Sequence, residues 1–476
     1  MIVCFGQLMI MLDSTIVNVA LPSIQRDLGF SQAELTWIVN AYLIAYGSFL
    51  LVAGRIGDLI GRKKVFLAGV ILFTAASVAS GVSHGAAELI ATRFLQGLGG
   101  SLSAGVILAI IVTGFPRPAE RAQAMSVFTF VIAGGGSLGL LAGGFLTQLV
   151  NWHWIFFINV PIGLVTFALG AWLVEEKPGL GLRHGVDVAG AVLITAALML
   201  GVYAIVTAAD NGWTSLHTIE FGGAAVILLA GFIGLESRLA NPLMPLRIFR
   251  IRSLVGGSAV RAFLVAGMFT NFFMGALYLQ HVKGFSAINT GLAFLPSTLM
   301  VGAMSLGIAA RLMARLGPRT LAMFGLVSIS LGLAGLAGVD AHAQYFPRIL
   351  ASYLLIGLGG GMSFLPLLTI SMSEVPAADA GLASGFGNVM MQIGAAIGLA
   401  ALGTLSTEHT QALIAQGYSL PSALTGGYQL AFLLAAISVA AALVLTLVAL
   451  RTTGGSRRPE PARFELDEGR AEAEAA

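Results

Sequence analysis

Apolar residues recur along this chain in long runs that short polar segments separate. A helix needs roughly 20 apolar residues to cross the hydrocarbon core of a bilayer, and fourteen runs are of about this length. The pattern therefore predicts fourteen transmembrane helices. They are predicted at residues 2–24, 36–54, 65–83, 88–112, 122–148, 154–174, 187–208, 219–235, 253–280, 287–309, 319–338, 345–371, 381–405 and 425–450.

The composition argues against a soluble protein. Of the 476 residues, 57% are hydrophobic and 10% are charged, whereas roughly a quarter of the residues in an ordinary soluble domain are charged. A soluble protein cannot bury so much apolar surface, because its exterior must remain polar. We expect an all-α polytopic membrane protein. The single cysteine, Cys4, excludes an intramolecular disulfide and a cysteine-built metal site, and no metal site is predicted.

The positions of the basic residues predict the orientation. Twenty of the 25 Lys and Arg residues lie in segments on one side of the predicted arrangement, and only Arg26, Lys283 and Arg348 lie on the other side. Cytoplasmic loops carry an excess of Lys and Arg, so we predict a protein of the inner (plasma) membrane with both termini in the cytoplasm. The net charge of +3 does not indicate nucleic-acid binding, because the basic residues lie between apolar runs.

Short motifs repeat at a nearly constant distance. Gly97–Gly100 recurs as Gly357–Gly360, and the pair Gly139 and Gly143 recurs as Gly394 and Gly398. Duplicated halves with a substrate site between them build many secondary transporters, so two related six-helix halves are predicted. The predicted units are residues 1–174, an inserted two-helix segment 175–252, a second half 253–451, and a disordered cytoplasmic tail 452–476.

Asp13 and Arg93 are predicted to lie deep inside spans, at similar depths. A charge at the bilayer centre costs at least about 2.5–3.5 kcal/mol on insertion scales, so both side chains must face the protein interior or water. Asp13 is a candidate proton-binding or substrate-facing carboxylate, with a structural hydrogen-bonding role as the alternative. Arg93 is a candidate partner that tunes the proton affinity of Asp13, with a structural ion pair as the alternative. A third basic residue within a span, Arg261, is expected to extend to the membrane interface.

A basic loop between the second and third spans is a candidate gate. It contains Gly54, Asp58, Gly61 and Arg62. Asp58 can pair with a nearby base or cap a neighbouring helix, which suits a latch that breaks and reforms as the two halves move. The alternative is that these charges only set the orientation of the chain.

The fifth span contains a stripe of small residues that includes Gly139, Gly143 and Gly144. Small residues at helical spacing let two helices approach closely, so we expect helix packing, with gating as the alternative. The run Gly134–Gly139 matches a dinucleotide-binding fingerprint, but that fingerprint requires a strand–turn–helix context, and this run lies inside an apolar span. Because the sequence also lacks a phosphate-binding loop, no cofactor is expected and an ion gradient must supply the energy.

These residues resemble the fourteen-helix drug–proton antiporter branch of the major facilitator superfamily, the EmrB/QacA type. In that family the arginine of the fourth-helix motif, here Arg93, is linked to proton coupling. The resemblance extends over residues 2–450. It is carried by Leu12–Pro22, Gly54–Lys64, Arg93–Gly97, Trp152–Pro161, Tyr278–Gln280 and Gly291–Pro296.

Two departures from the family pattern concern the fifth helix and the second-half loop. The branch usually has a proline in the fifth-helix motif where this chain has Leu140. Without that proline the helix is expected to lose a built-in kink. Import therefore becomes an alternative direction of transport. Where the first-half loop has Asp58, the second-half loop has Ala314, so any latch is asymmetric.

We therefore expect a proton-coupled secondary transporter that exports hydrophobic small molecules by alternating access, and not an enzyme. The expected partners are protons, a lipophilic small molecule and the lipid bilayer, with no nucleic acid, and a single copy of the chain is the expected unit. The alternatives are a proton-coupled importer on the same fold and a membrane-embedded lipid enzyme. An enzyme would need clustered acids, histidines or a metal site at the membrane interface.

Overall fold

The computed structural model describes residues 2–30, 32–115, 117–179, 181, 187–239, 242, 246–376 and 379–450, and the predicted tail at 452–476 lies outside them. Within these residues the chain is helical, without strands. The α-helices are α1 (Val3–Leu28), α2 (Gln32–Ile60), α3 (Arg62–Gly81), α4 (Ala86–Gly114), α5 (Pro118–Leu149), α6 (Trp154–Phe157), α7 (Asn159–Leu173), α8 (Val188–Asn211), α9 (Leu216–Glu236), α10 (Arg252–Leu277), α11 (Ala287–Ala303), α12 (Ala309–Leu316), α13 (Pro318–Ala337), α14 (Leu350–Met372), α15 (Ala380–Ile397), α16 (Gly403–Ala415) and α17 (Leu420–Ala449).

The predicted all-helical membrane architecture is confirmed, but the count of fourteen spans is not reproduced. Twelve helices of the described part are long and apolar enough to cross a membrane, and thirteen are if the bent helix α5 is included. The tenth predicted span, 287–309, falls short because the 17-residue helix α11 is followed by a π-helical turn at Met304–Ile308. Gly307 in that turn has φ 107°, which interrupts the helix.

Large apolar side chains cover the outer surface of the helices. Trp172 is 80% exposed, Ile227 72% and Val448 74%. Monomeric soluble proteins rarely expose large contiguous apolar patches. Lipid is therefore the solvent that suits this surface, and the protein is a multi-pass membrane protein.

The first six and the last six predicted spans each pack mainly among themselves. In the first set α4 packs on α2 and α3, and α1 on α5; in the second set α14 packs on α13, and α17 on α10. Glycines allow backbones to touch: a Cβ on Gly359 would lie 2.6 Å from Ile329 and 2.8 Å from that residue's backbone nitrogen. Two further contacts, α2 with α15 and α5 with α11, join the two sets of helices.

The inserted helices α8 and α9 lie beside the contact between α2 and α15. Helix α8 packs on both of these helices, and its Tyr203 ring lies 5.6 Å from the ring of Trp37 on α2. Helix α9 packs on α8, and much of its apolar surface is exposed. The insertion thus contacts both halves at one edge of their interface.

The segment predicted as a loop at Gly54–Lys64 is mostly helical, and the prediction of a loop there was wrong. Helix α2 continues to Ile60, and α3 begins at Arg62. The chain turns at the single residue Gly61, whose φ of 109° and ψ of 126° are readily adopted only by glycine. A single glycine therefore connects α2 and α3 in place of the predicted loop.

We expect Gly61→Ala to destabilise the protein, because an L-residue at this φ and ψ stores about 1–3 kcal/mol of backbone strain. The measurement is the thermal unfolding midpoint of the purified protein in detergent. Gly231→Ala is the control: Gly231 lies inside α9 with open space around it, so this variant should be neutral or slightly more stable. Equal midpoints for Gly61→Ala and the wild type would contradict the strain assigned to this turn.

Candidate functional site

Asp13 and Arg93 form a buried ion pair. Nη1 of Arg93 lies 2.6 Å from Oδ2 of Asp13, and the two side chains are 1% and 0% exposed. Nε of Arg93 donates to the backbone carbonyl of Ile38 at 3.1 Å. The structure therefore brings together the two charges that the sequence places deep inside separate spans.

Two uncharged polar residues complete the partners of the Asp13 carboxylate. Oδ1 accepts from Nε2 of Gln96 at 2.7 Å and from Nδ2 of Asn159 at 3.0 Å. The same two amide groups also donate to Oγ of Ser77, at 3.1 and 3.0 Å. Together with Arg93, the two amides direct three hydrogen bonds to this carboxylate.

Aromatic rings cover the guanidinium group. The Cζ atom of Arg93 lies 4.4 Å from the centre of the Tyr42 ring and 5.8 Å from that of Phe156. The negative face of an aromatic ring attracts a cation, more strongly where water is excluded. We define the charged cluster as Asp13, Tyr42, Ser77, Arg93, Gln96 and Asn159.

Five helices of the first half supply this cluster: α1, α2, α3, α4 and α7. Tyr42, Ser77, Gln96 and Asn159 were not predicted as site residues. A signal was present for Gln96, because it lies three residues after Arg93 and therefore on the same face of α4. Ser77 carries no comparable signal. Asn159 reaches Asp13 because α7 packs on α1, and Ser77 reaches the two amides because α3 packs on α4 and α7.

A separate cavity of about 220 Å³ lies between the two halves. We call it the central cavity. Its lining is mostly apolar and contains no charged side chain among the described residues. Its amide side chains are Gln7, Asn271, Asn388 and Gln392.

Helix α1 separates the central cavity from the charged cluster. Ser14 and Thr15 line the cavity, whereas Asp13 does not. The hydroxyl groups of Ser14 and Thr15 donate to carbonyls of their own helix, including that of Met11, and not to Asp13. The carboxylate is thus adjacent to the cavity wall but faces away from a molecule bound there.

The candidate gate contains an ion pair within the first half. Asp58 and Arg62 are 2.8 Å apart, and Asp58 is buried. Arg62 also donates to the Thr113 hydroxyl on α4 at 3.3 Å. Gly54 and Gly61 lie at the ends of this segment, where Gly54 contacts Gly105 of α4.

Asp379, directly before α15, is an acid of the second half that lies close enough to interact electrostatically with Asp58. Its own partner is Arg247 at 3.1 Å, in the segment before α10. Asp58 is therefore paired within the first half, and Asp379 is paired with the segment that precedes the second half. The described residues form no ion pair that crosses from Asp58 to the second half.

The chain after α7 lies across the gate. We call residues 174–179 the strap. Lys177 donates to the carbonyl of Thr113 at 3.0 Å, and Glu176 pairs with Lys64 at 2.9 Å. The hydrogen bond and charge of Lys64 hold the pKa of Glu176 below its ordinary value. A cavity of about 520 Å³ lies between the strap, Asp58 and Arg62.

The glycine stripe of α5 packs on α1 directly beside Asp13. A Cβ on Gly139 would lie 2.7 Å from the carbonyl oxygen of Leu12, and one on Gly143 would lie 2.7 Å from that of Ile16. Gly144 is also buried. Through these contacts the backbones of α1 and α5 lie against each other next to Asp13.

The expectation that α5 loses its kink was wrong. The segments Gln123–Gly136 and Leu141–Leu149 are bent by 42° relative to each other, although no proline lies between them. The bend follows the glycine run at Gly134–Gly136, and clustered small residues are a recognised site of helix kinks. Glycine here supplies the bend that proline supplies elsewhere.

The expectation that Arg261 extends to the interface was also wrong. Its side chain is 4% exposed and lies between α10 and α15. Nη2 donates to Sδ of Met391 at 3.0 Å, and Nε has no hydrogen-bond partner among the described residues. Helix α15 covers Arg261 and blocks the route to the interface.

Comparisons with known proteins give a consistent family. Residues 3–399 match the family model described as Major Facilitator Superfamily. The puromycin resistance protein pur8 of Streptomyces alboniger is 34% identical over 474 residues, which are 97% of this chain and 94% of that protein. The cephamycin export protein CmcT of Amycolatopsis lactamdurans is 33% identical over 94% of this chain and 90% of its own length. The crystal structure of the human organic anion transporter MFSD10 superposes with a TM-score of 0.66 at 15% identity, over 94% and 98% of the two chains.

Gly143→Leu tests the contact between α5 and α1. The new side chain would meet the backbone of Ile16, and overpacking of this kind costs about 1–3 kcal/mol. We expect a lower thermal midpoint and loss of transport. Leu138→Phe is the control, because Leu138 is 43% exposed on the same helix and should tolerate a larger side chain. Normal folding and transport in Gly143→Leu would show that the two helices do not touch at this point.

Asp58→Asn tests the gate. The variant keeps the shape of the side chain but removes the charge that pairs with Arg62, and a hydrogen bond to a charged group is worth about 1.5–3 kcal/mol. We expect normal membrane insertion and a transport rate reduced by about fivefold or more. Glu408, an exposed acid on α16, provides the control Glu408→Gln, which should transport normally. Wild-type rates for Asp58→Asn at matched expression would remove the pair from the gating mechanism.

Proposed function

This chain belongs to the major facilitator superfamily, and we propose that it exports lipophilic small molecules across the cytoplasmic membrane in exchange for protons. The observation that carries this proposal is the placement of one buried carboxylate–arginine pair behind an uncharged cavity. The relatives that are named as resistance and export proteins support export as the direction.

The central cavity supports the choice of substrate class. Ligand sites are mostly apolar, with a few polar groups that orient the ligand, and this cavity has amides and hydroxyls on an apolar wall. Its volume of about 220 Å³ lies below the roughly 300–1,000 Å³ of a typical site for a drug-sized molecule. We propose that the two halves separate further at the cavity when such a substrate is bound.

We propose that Asp13 carries the coupling proton. Protonation would remove the negative charge beside Arg93 and leave a buried cation without its counter-ion. Breaking a buried pair in this way is strongly destabilising, by about 3–5 kcal/mol. A rearrangement of α1 that gives Arg93 another environment would offset this cost, and α1 also carries Ser14 and Thr15 on the cavity wall.

Helix α1 thus connects two sites that bind different ligands. A ligand shifts a conformational equilibrium only through its different affinity for the two states. A proton on Asp13 and a substrate against Ser14 and Thr15 both act on the same helix, from opposite sides. This arrangement supports exchange, in which binding of one ligand favours release of the other.

The structural units support alternating access. We propose that residues 1–174 and 253–451 move as two halves, and that the insertion at 175–252 follows them at the α2–α15 edge. The excess of Lys and Arg on one face supports a cytoplasmic location for that face and for both termini. Import was favoured only by the missing proline of the fifth helix, and α5 is bent by 42° without that proline.

Asp13→Asn is the decisive variant, because it keeps the shape and hydrogen bonding of the side chain but cannot titrate. We expect it to bind substrate without concentrating it. The measurement is uptake of ethidium and puromycin into inside-out vesicles under an inside-acid gradient, at several pH values, where the wild type should accumulate both. Active uptake should fall by at least about tenfold, because a variant without the titrating group allows only downhill movement of the substrate.

Two further variants make this test specific. Glu220 is an exposed acid on α9, so Glu220→Gln should show the wild-type pH dependence. Arg93→Lys keeps a positive charge but loses the planar fork, so coupling should weaken more than substrate binding. Wild-type pH dependence in Asp13→Asn would place the proton site elsewhere and leave Asp13 with a structural role.

A further inference from the structure

Arg261 is the second buried arginine of the transmembrane region, and its surroundings differ from those of Arg93. Its side chain is 4% exposed. Among the described residues Arg261 makes one hydrogen bond, in which Nη2 donates to the thioether sulfur of Met391 at 3.0 Å. A thioether is a weak acceptor. Nε has no partner, and no described carboxylate lies within ion-pair distance.

Such a cation needs a stronger partner than a thioether. An arginine in a protein does not lose its proton, and a charge buried in a membrane without a partner is expensive. Arg93 meets this requirement with Asp13. The described second half supplies no equivalent acid to Arg261, so a ligand is the remaining source of negative charge.

Two buried serine residues lie on α10 and α15, the two helices between which Arg261 is placed. Ser258 precedes it by one helical turn on α10, is 0% exposed, and its Oγ has no partner among the described residues. Ser384 on α15 is 1% exposed and its Oγ is equally without a described partner. Buried polar groups of native proteins are nearly always hydrogen-bonded, so three unpartnered groups at one helix contact indicate a binding function.

Gly387 lets α15 approach Arg261 and Ser258 closely. It lies one turn after Ser384 on α15. A Cβ at Gly387 would lie 3.2 Å from Nη1 of Arg261 and 3.7 Å from Oγ of Ser258. Because Gly387 has no side chain, the guanidinium group and this hydroxyl group both lie against the backbone of α15.

Arg261 lies next to residues that line the central cavity. Val265, one turn after Arg261, lines the cavity, and so do Asn388 and Met391 on α15. Arg261 is thus one helical turn away from a residue that would contact a molecule bound in the cavity. The cavity itself has no charged lining residue in the described structure.

We propose that Arg261, Ser258 and Ser384 form an anion-binding subsite of the central cavity. It takes a small monovalent anionic group, either the carboxylate of a lipophilic substrate or a free halide such as chloride. The guanidinium fork suits a carboxylate with two oxygens, and the serine hydroxyls donate to the same group. The carboxylate case rests on the proposed export function and extends its substrates to lipophilic acids and zwitterions.

The experiment uses the purified full chain in detergent, in a buffer without halide. Binding of 1-naphthoate is compared with binding of 1-naphthamide, which has the same shape without the charge, and radioactive chloride is followed by equilibrium dialysis. We expect saturable naphthoate binding that is weakened by about tenfold or more in Arg261→Gln, because a charge-assisted hydrogen bond is lost. Arg311→Gln, at an exposed arginine of α12, is the matched control and should bind as the wild type does.

Gly387→Ala gives an independent variant that keeps the arginine. Its methyl group would press on the guanidinium group and shift it, so naphthoate binding should weaken while the charge of the site is unchanged. This variant decides the question if Arg261→Gln does not fold. Saturable chloride binding that depends on Arg261, without naphthoate binding, would assign the subsite to a free halide. Anion binding that is absent, or that is equal in the wild type and Arg261→Gln, would overturn the proposal. The measurement needs no gradient, so it stands apart from any failure of proton-coupled uptake.

Discussion

The ion pair between Asp13 and Arg93 is the constraint on which the arrangement of the first half depends. Neither charge is tolerated in lipid without a partner, and at 2.6 Å they satisfy each other. Because Arg93 also bonds the α2 carbonyl of Ile38 and Asp13 bonds Asn159 on α7, four helices must converge on one point. A change in the charge of Asp13 is therefore a change in the packing of the whole half.

The two halves have the same kind of packing but different chemistry. The position that corresponds to Arg93 in the repeat is Tyr353, whose ring lies 4.8 Å from that of Phe294. The first half contains a buried ion pair. At the corresponding depth the second half contains aromatic rings, and its buried arginine, Arg261, has no carboxylate partner among the described residues. In the function proposed above, the charge pair of the first half binds the proton and the substrate contacts the cavity between the halves. The two ligands would then occupy different sites of an otherwise repeated fold.

Small residues determine how motion in one helix reaches another. Gly139 and Gly143 let α5 touch the backbone of α1 at Leu12 and Ile16, on either side of Asp13. Close backbone contact leaves little room for independent movement, since packed interiors transmit displacement. The bend in α5 and the position of α1 are thus linked, and the strap over Arg62 and Lys64 extends the same contact network to the basic face.

The membrane class, the repeat and the depths of Asp13 and Arg93 could be predicted from the amino-acid sequence alone, because transfer energies and helical periodicity depend on local composition. The sequence did not reveal that Asn159 and Ser77 complete the Asp13 site, nor that Asp13 faces away from the central cavity. Those features depend on which faces of distant helices meet. The burial of Arg261 shows the same limit: its place near the end of a span predicts a route to the interface, and only the packing of α15 closes that route.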